Sequence, residues 1–239
     1  MKKALLLSTG LVCLLVAQPS STTVATSPAT IHGIVTDQHG KPISGALVTV
    51  SRSFAIGDKA PFNQQLKTLA DGSFTADKLS PGSYSYCAQV PGDGYLNGCF
   101  WSSSVPTTIA AGQTVKASIT VLQGSVLKVQ VLDPANLTAQ AAAARIPPIM
   151  MGVWDSRGRF APVRLVSHDG KGLNYQLTIP LDTPLHLQVI SSKLNLIDES
   201  GQSVPNAVNA SAAPQPTFQH SSGSASPKSF RFTIASVNP

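Results

Sequence analysis

Ile31-His-Gly-Ile-Val-Thr-Asp-Gln-His-Gly-Lys-Pro-Ile-Ser-Gly-Ala-Leu-Val-Thr-Val50 decides how this chain folds. Its first half is β-branched and extended up to Asp37, and its last five residues alternate so that Ala46, Val48 and Val50 share one face. Between them Asp37-Gln-His-Gly40 has the chemistry of a reversal: aspartate opens a type I turn, and glycine takes the left-handed position that follows. The stretch predicts a β-hairpin with one buried face.

The same grammar continues downstream. A second hairpin is predicted around Asp71-Gly72, and Pro81-Gly82 leads into Tyr84-Ser-Tyr-Cys-Ala-Gln-Val90. Alternation there puts Tyr84, Tyr86, Ala88 and Val90 on the core face and Cys87 on the other. Taken in order, the pieces are Gly33-x-Val35-x-Asp37-x-x-Gly40-x-Pro42-Ile43-x-Gly45-Ala46-x-Val48-x-Val50, then Asp71-Gly72-x-Phe74, then Leu79-x-Pro81-Gly82-x-Tyr84. This ordered series resembles the carboxypeptidase regulatory-like domain, a transthyretin-like β-sandwich. The stretch from Ala111 to Val121 looks like that family's last strand, so the resemblance covers about residues 30 to 123. It implies an accessory module without catalytic residues, of a kind found in larger secreted or surface proteins and related to carbohydrate-binding sandwiches. The Cys87 to Trp101 insertion departs from the family pattern.

Composition agrees with an all-β chain. The 239 residues contain 12% charged side chains, 18 Gly and 18 Pro, and Glu199 is the one glutamate. Helix surfaces rely on Glu and Lys, whereas the polar positions here are Ser, Thr, Gln and Asn. Residues 1–17 read as a cleavable bacterial signal peptide: Lys2 and Lys3 precede an apolar stretch, Ala4 to Val16, too short to span a bilayer. Ala17 is the expected last residue of the leader, with Ala25 the second choice. Cys13 lacks the small residue before it that a lipoprotein anchor wants. Residues 18–30 form a flexible lead-in of Ser, Thr, Ala and Pro. The reading is therefore a secreted or periplasmic protein without a transmembrane span after processing. Of the net charge of +6, Lys2 and Lys3 account for two, and no basic run remains to suggest nucleic acid. Cys87 and Cys99, an even pair bound for an oxidising compartment, are expected to form a disulfide, with two buried thiols as the alternative.

Residues 124–239 are expected to form a second β-rich domain. Leu127, Val129 and Val131 alternate; so do Leu173, Tyr175, Leu177, Ile179 and Leu181, then Leu185, Leu187 and Val189, which implies an antiparallel sheet with one wet face. Asp155-Ser-Arg-Gly158 and Asp198-Glu-Ser-Gly201 repeat the turn of Asp37 to Gly40 and raise the question of a divergent copy of the first domain. Ala139 to Ile146 could make two helical turns before Pro147-Pro148. Residues 205–226 read as a mobile loop before a final strand carrying Phe230, Phe232 and Ile234 on one face.

Catalytic signatures were not found. Zinc peptidase chemistry needs a His-x-x-Glu type pair, and no histidine stands three or four residues from Glu199 or from another histidine. The nucleophile elbow Gly-x-Ser-x-Gly is missing, and Ser125-Val-Leu-Lys128 on a strand points its two ends to opposite faces. Asp37, Asp71, Asp155, Asp169 and Asp198 each stand one to three residues from a glycine and read as turn openers. No cofactor, metal or catalytic set is assigned.

The candidate ligand-binding residues are Tyr95, Asn97, Phe100 and Trp101 in the insertion, and Trp154 beside the second turn. Aromatic faces flanked by amides suit sugars, because ring C–H groups stack while polar groups take the hydroxyls. The competing reading packs Phe100 and Trp101 onto the sandwich edge, over the disulfide. Three functions follow: a structural or interaction module of the envelope, a carbohydrate-binding module, or an enzyme assembled from dispersed Asp and His. The first is preferred, with polysaccharide or envelope proteins as the partners to consider.

Overall fold

The structure is a computed structural model that describes residues 27–53, 62–92, 94–102, 106–143, 149–170, 172–191, 193–205, 217–221 and 227–237. The expected leader and most of the lead-in lie outside them.

The described residues of the first half form a sandwich of seven strands. One sheet has the order β4 (Ser73–Leu79), β1 (Ala29–Asp37), β7 (Thr114–Val121); the other runs β3 (Asn63–Lys67), β2 (Leu47–Arg52), β5 (Gly82–Gln89), β6 (Thr107–Ile109). Ile31 and Val35 of β1, Val48 and Val50 of β2, and Phe74, Ala76, Tyr84 and Ala88 fill the space between. β1 begins at Ala29 rather than Ile31 because Ala29 is itself fully buried. The Tyr84 hydroxyl donates to the Ser80 carbonyl at 2.7 Å, so a buried phenol is satisfied and the entry to β5 is tied down. Gly33 pairs with Phe74, whose ring lies over it: a Cβ there would stand 2.1 Å from the ring.

Both predicted hairpins need correction. The Asp37 turn forms as expected, with Gly40 at φ 80°, and residues 41–43 pair briefly with β1. The chain then crosses, and Leu47–Arg52 joins the opposite sheet. Around Asp71-Gly72, β3 and β4 likewise belong to different sheets. Thr68 pins the crossing: its buried hydroxyl donates to Ile43 O and accepts from Ala46 N. Turn chemistry marks a reversal but not which sheet receives the returning strand.

The second half is also a β fold, ordered β13 (Leu194–Asp198), β15 (Lys228–Val237), β8 (Ser125–Leu132), β11 (Gly172–Ile179), β10 (Phe160–Asp169), β9 (Met150–Asp155), β12 (Leu185–Ile190), β14 (Thr217–Phe218). β10 belongs to two layers: Phe160 to Val163 pair with β9, and Arg164 to Asp169 pair with β11. The ribbon folds there, and Leu127, Tyr175 and Phe232 from one side share a core with Val153, Leu187 and Phe218 from the other. Neighbours are antiparallel as expected, except that β15 runs parallel to β8. The short helix α2 (Leu137–Ala143) overlaps the stretch read as helical but starts two residues earlier, where the Asp133 carboxylate caps Leu137 N and Thr138 N; residues 144–146 lie outside the described residues.

The stretch 205–226 also needs correction. It contains β14, which pairs with β12 and buries Phe218, the one large apolar side chain in a polar run. His220 is buried beside it. Residues 206–216 and 222–226 lie outside the described residues.

Candidate functional site

The Cys87 to Trp101 insertion leaves the outward face of β5. Cys87 faces away from the core, pairs across to Thr49, and is joined to Cys99 by a disulfide. Closing a loop across a separation of 12 residues contributes about 3 kcal/mol at most on the chain-entropy estimate. Within that loop a single helical turn, α1 (Gly98–Trp101), starts at Asn97, whose Oδ1 accepts from Cys99 N at 3.0 Å. Gly98 lies hard against β5: a Cβ would stand 2.8 Å from Ala88 O.

This geometry divides the insertion into two faces. Leu96 and Trp101 turn into the second sandwich and join its core, Trp101 being only 5% exposed. The indole Nε1 donates to Thr178 O at 3.0 Å. The Trp101 carbonyl accepts from Arg159, which Asp155 holds through Nε–Oδ2 and Nη2–Oδ2 contacts of 2.7 and 2.6 Å. Asp155 also accepts from the backbone N–H groups of Arg157 and Arg159. Burial works to raise its pKa, but the hydrogen bonds and charge of Arg159 outweigh that and hold the carboxyl below its usual range. The connection at residues 122–124 is clamped as well: Leu96 N donates to Leu122 O, and Gly124 N donates to Gly94 O.

Tyr95, Asn97 and Phe100 are half-buried along a cleft of about 380 Å³ between the sandwiches, where Tyr95 also packs against the first core and Phe100 against the second. Leu47 and Gln89 border it from the first sandwich; Arg164 and Val166 of β10 border it from the second. Among the described residues that line it, none is a carboxylate. Three of the five expected binding residues therefore share one cleft. Trp101 stands behind it with its faces covered, as the packing alternative anticipated, although it is the second sandwich and not the edge of the first that covers it. Trp154 lies elsewhere, on β9, tilted against Phe160 at 4.9 Å between ring centroids and donating to Gln188 Oε1 at 2.6 Å.

Arg164, Gln89 and the Asp155–Arg159 pair were not singled out from the sequence. Arg164 and Gln89 are ordinary outward strand positions until two domains face each other. Asp155 reads as a turn opener, and its spacing of four residues to Arg159 is the signal that could have marked the pair. Among the described residues, no three His, Cys, Asp or Glu side chains are grouped to hold a metal ion.

Residues 30–123 match the family model described as the carboxypeptidase regulatory-like domain. No curated protein matches the chain in sequence. Solved structures resemble it weakly. A streptococcal ancillary pilin is 11% identical, with 88% of this chain and 63% of that one covered and a TM-score of 0.38. The major pilin subunit of Bacillus cereus is 11% identical over 80% of this chain and 81% of its own, with a TM-score of 0.32. The 3-chlorocatechol 1,2-dioxygenase from Rhodococcus opacus 1CP is 12% identical over 41% and 61%, with a TM-score of 0.31. The chain spans 51–61% of the length of the first structures it matches.

Proposed function

We propose that this chain, whose first sandwich is a carboxypeptidase regulatory-like domain, is a non-catalytic structural and interaction module of the cell envelope, working outside the cytoplasm. The observation that carries the reading is the use made of the insertion. Its largest side chain, Trp101, is spent on joining two sandwiches, and a disulfide anchors the join in the first of them. A spacer or adhesin-like module needs domains that transmit position to one another; a catalytic role needs polar groups converging on a reacting atom.

The test is export combined with proteolysis. Expressed with its own leader, the full chain is expected outside the cytoplasm, with Cys87 and Cys99 closed to thiol reagents and the 122–124 connection resistant to protease. Recovery in the cytoplasm with reactive thiols would overturn the location, and rapid cutting at the connection would overturn the joined scaffold.

A second reading, a carbohydrate-binding module, is favoured by one arrangement: Tyr95, Asn97 and Phe100 border the same interdomain cleft. Ligand sites form preferentially at such domain boundaries.

A further inference from the structure

The geometry points to the interdomain cleft as a site for an acidic saccharide, with Arg164 reading the carboxylate. This rests on the carbohydrate-binding reading and narrows it to a substrate class. At about 380 Å³ the cleft falls within the range of small-ligand pockets. Tyr95, packed against the first core, and Phe100, packed against the second, leave part of their rings to the cleft, suited to the C–H face of a pyranose. Gln89 and Asn97 supply amides for hydroxyl groups; the Asn97 Oδ1 is engaged by Cys99 N, so what it offers a ligand is its NH2 group.

Charge selects among sugars. Arg164, exposed and in register with Gln176, borders the cleft from β10, and among the described residues that line the cleft none is a carboxylate. A guanidinium presents a planar fork that matches a carboxylate with two parallel hydrogen bonds. A neutral sugar leaves that fork to water, whereas a uronic acid stacked on Tyr95 or Phe100 presents its carboxylate to it. Leu47 and Val166, both exposed apolar side chains, border the same opening and would lie along neighbouring sugar rings.

The test titrates the oxidised full-length mature protein by calorimetry with tetragalacturonate and with its carboxyl-reduced neutral counterpart. The expected result is preferential binding of the acidic chain, weakened about tenfold by Arg164→Gln and by raised salt. Tyr95→Ala should weaken both probes, and Arg164→Gln should leave thermal unfolding unchanged because the residue is exposed. Equal binding of the two probes, indifferent to Arg164, would overturn the acidic preference while sparing the saccharide reading. Binding of neither would overturn both, and capture of an acidic peptide in place of the sugar would reassign the cleft to protein partners.

Discussion

The two sandwiches share one wiring. β1 lies between antiparallel β4 and parallel β7; β8 lies between antiparallel β11 and parallel β15. β2 sits between β3 and β5, and β9 between β10 and β12; β6 and β14 extend those sheets on the same side. The difference lies in one strand. β3 has five residues and stays in its own sheet, whereas β10 has ten and runs on to pair with β11, closing the second sandwich along that side. β13 is added beyond β15. Pairing order survives where the family match does not reach, because a sandwich needs its faces covered more than it needs particular residues.

The most forceful way to break this equivalence is a matched pair of glycine substitutions. Gly72 and Gly172 both stand at the start of the strand beside the central one, at φ 77° and 143°. A Cβ would meet Val35 O at 2.6 Å in the first and Val131 O at 2.0 Å in the second, backbone atoms that cannot swing away. Gly172→Ala is expected to cost about 3 kcal/mol or more and Gly72→Ala about 2 kcal/mol, in urea unfolding followed by circular dichroism. A cost for Gly172→Ala below that of an ordinary surface change would end the equivalence.

Trp101→Ala sharpens the comparison by separating the partners. It removes a buried side chain and leaves Thr178 O without its donor, so a loss of about 3 kcal/mol is expected, borne by the second sandwich. Unfolding should then split into two transitions, since multidomain chains lose two-state behaviour once their coupling weakens. A single unshifted transition would show that the join contributes nothing.

The smallest effects belong to the turns. The Asp37 carboxyl is held below its usual range chiefly by the Lys41 backbone N–H; burial works against it, and the His39 N–H and the charges of His39 and Lys41 add to the lowering. For Asp198 the Ser200 hydroxyl leads, followed by Gln202 N–H. Groups with depressed pKa values in the folded state stabilise it above the unfolded value near 3.8, and that stability is lost as pH falls through the lower folded pKa. Stability should therefore be flat above about pH 5 and decline below about pH 4. Asp155→Asn should flatten that decline more than Asp198→Asn, because Asp155 also holds Arg159 against Trp101. Equal effects would mean that the ion pair adds nothing to the turn.

Much of this was legible in the residues. Alternation identified the buried faces of β5, β8, β11 and β12, and the cysteine pair indicated the disulfide, because period-two burial and compartment chemistry are local facts. Three members of the candidate site were named for their aromatic and amide chemistry. Their partner Arg164 was not, because nothing in the sequence says that β10 will face the Tyr95 loop.

The three Asp-x-x-Gly turns divide the labour most clearly. At Asp37, Asp155 and Asp198 the carboxylate accepts from the N–H groups two and four residues on, and the glycines sit at φ 80°, 76° and 80°. The sequence alone determined that geometry, since every bond in it closes within five residues. Yet the turn at Asp155 returns its strand to the same sheet, whereas after Asp37 the chain crosses to the opposite one. That choice belongs to the tertiary structure. It depends on which layer can bury Val48 and Val50, and on which domain can cover Trp101, and these are contacts between residues far apart in the chain.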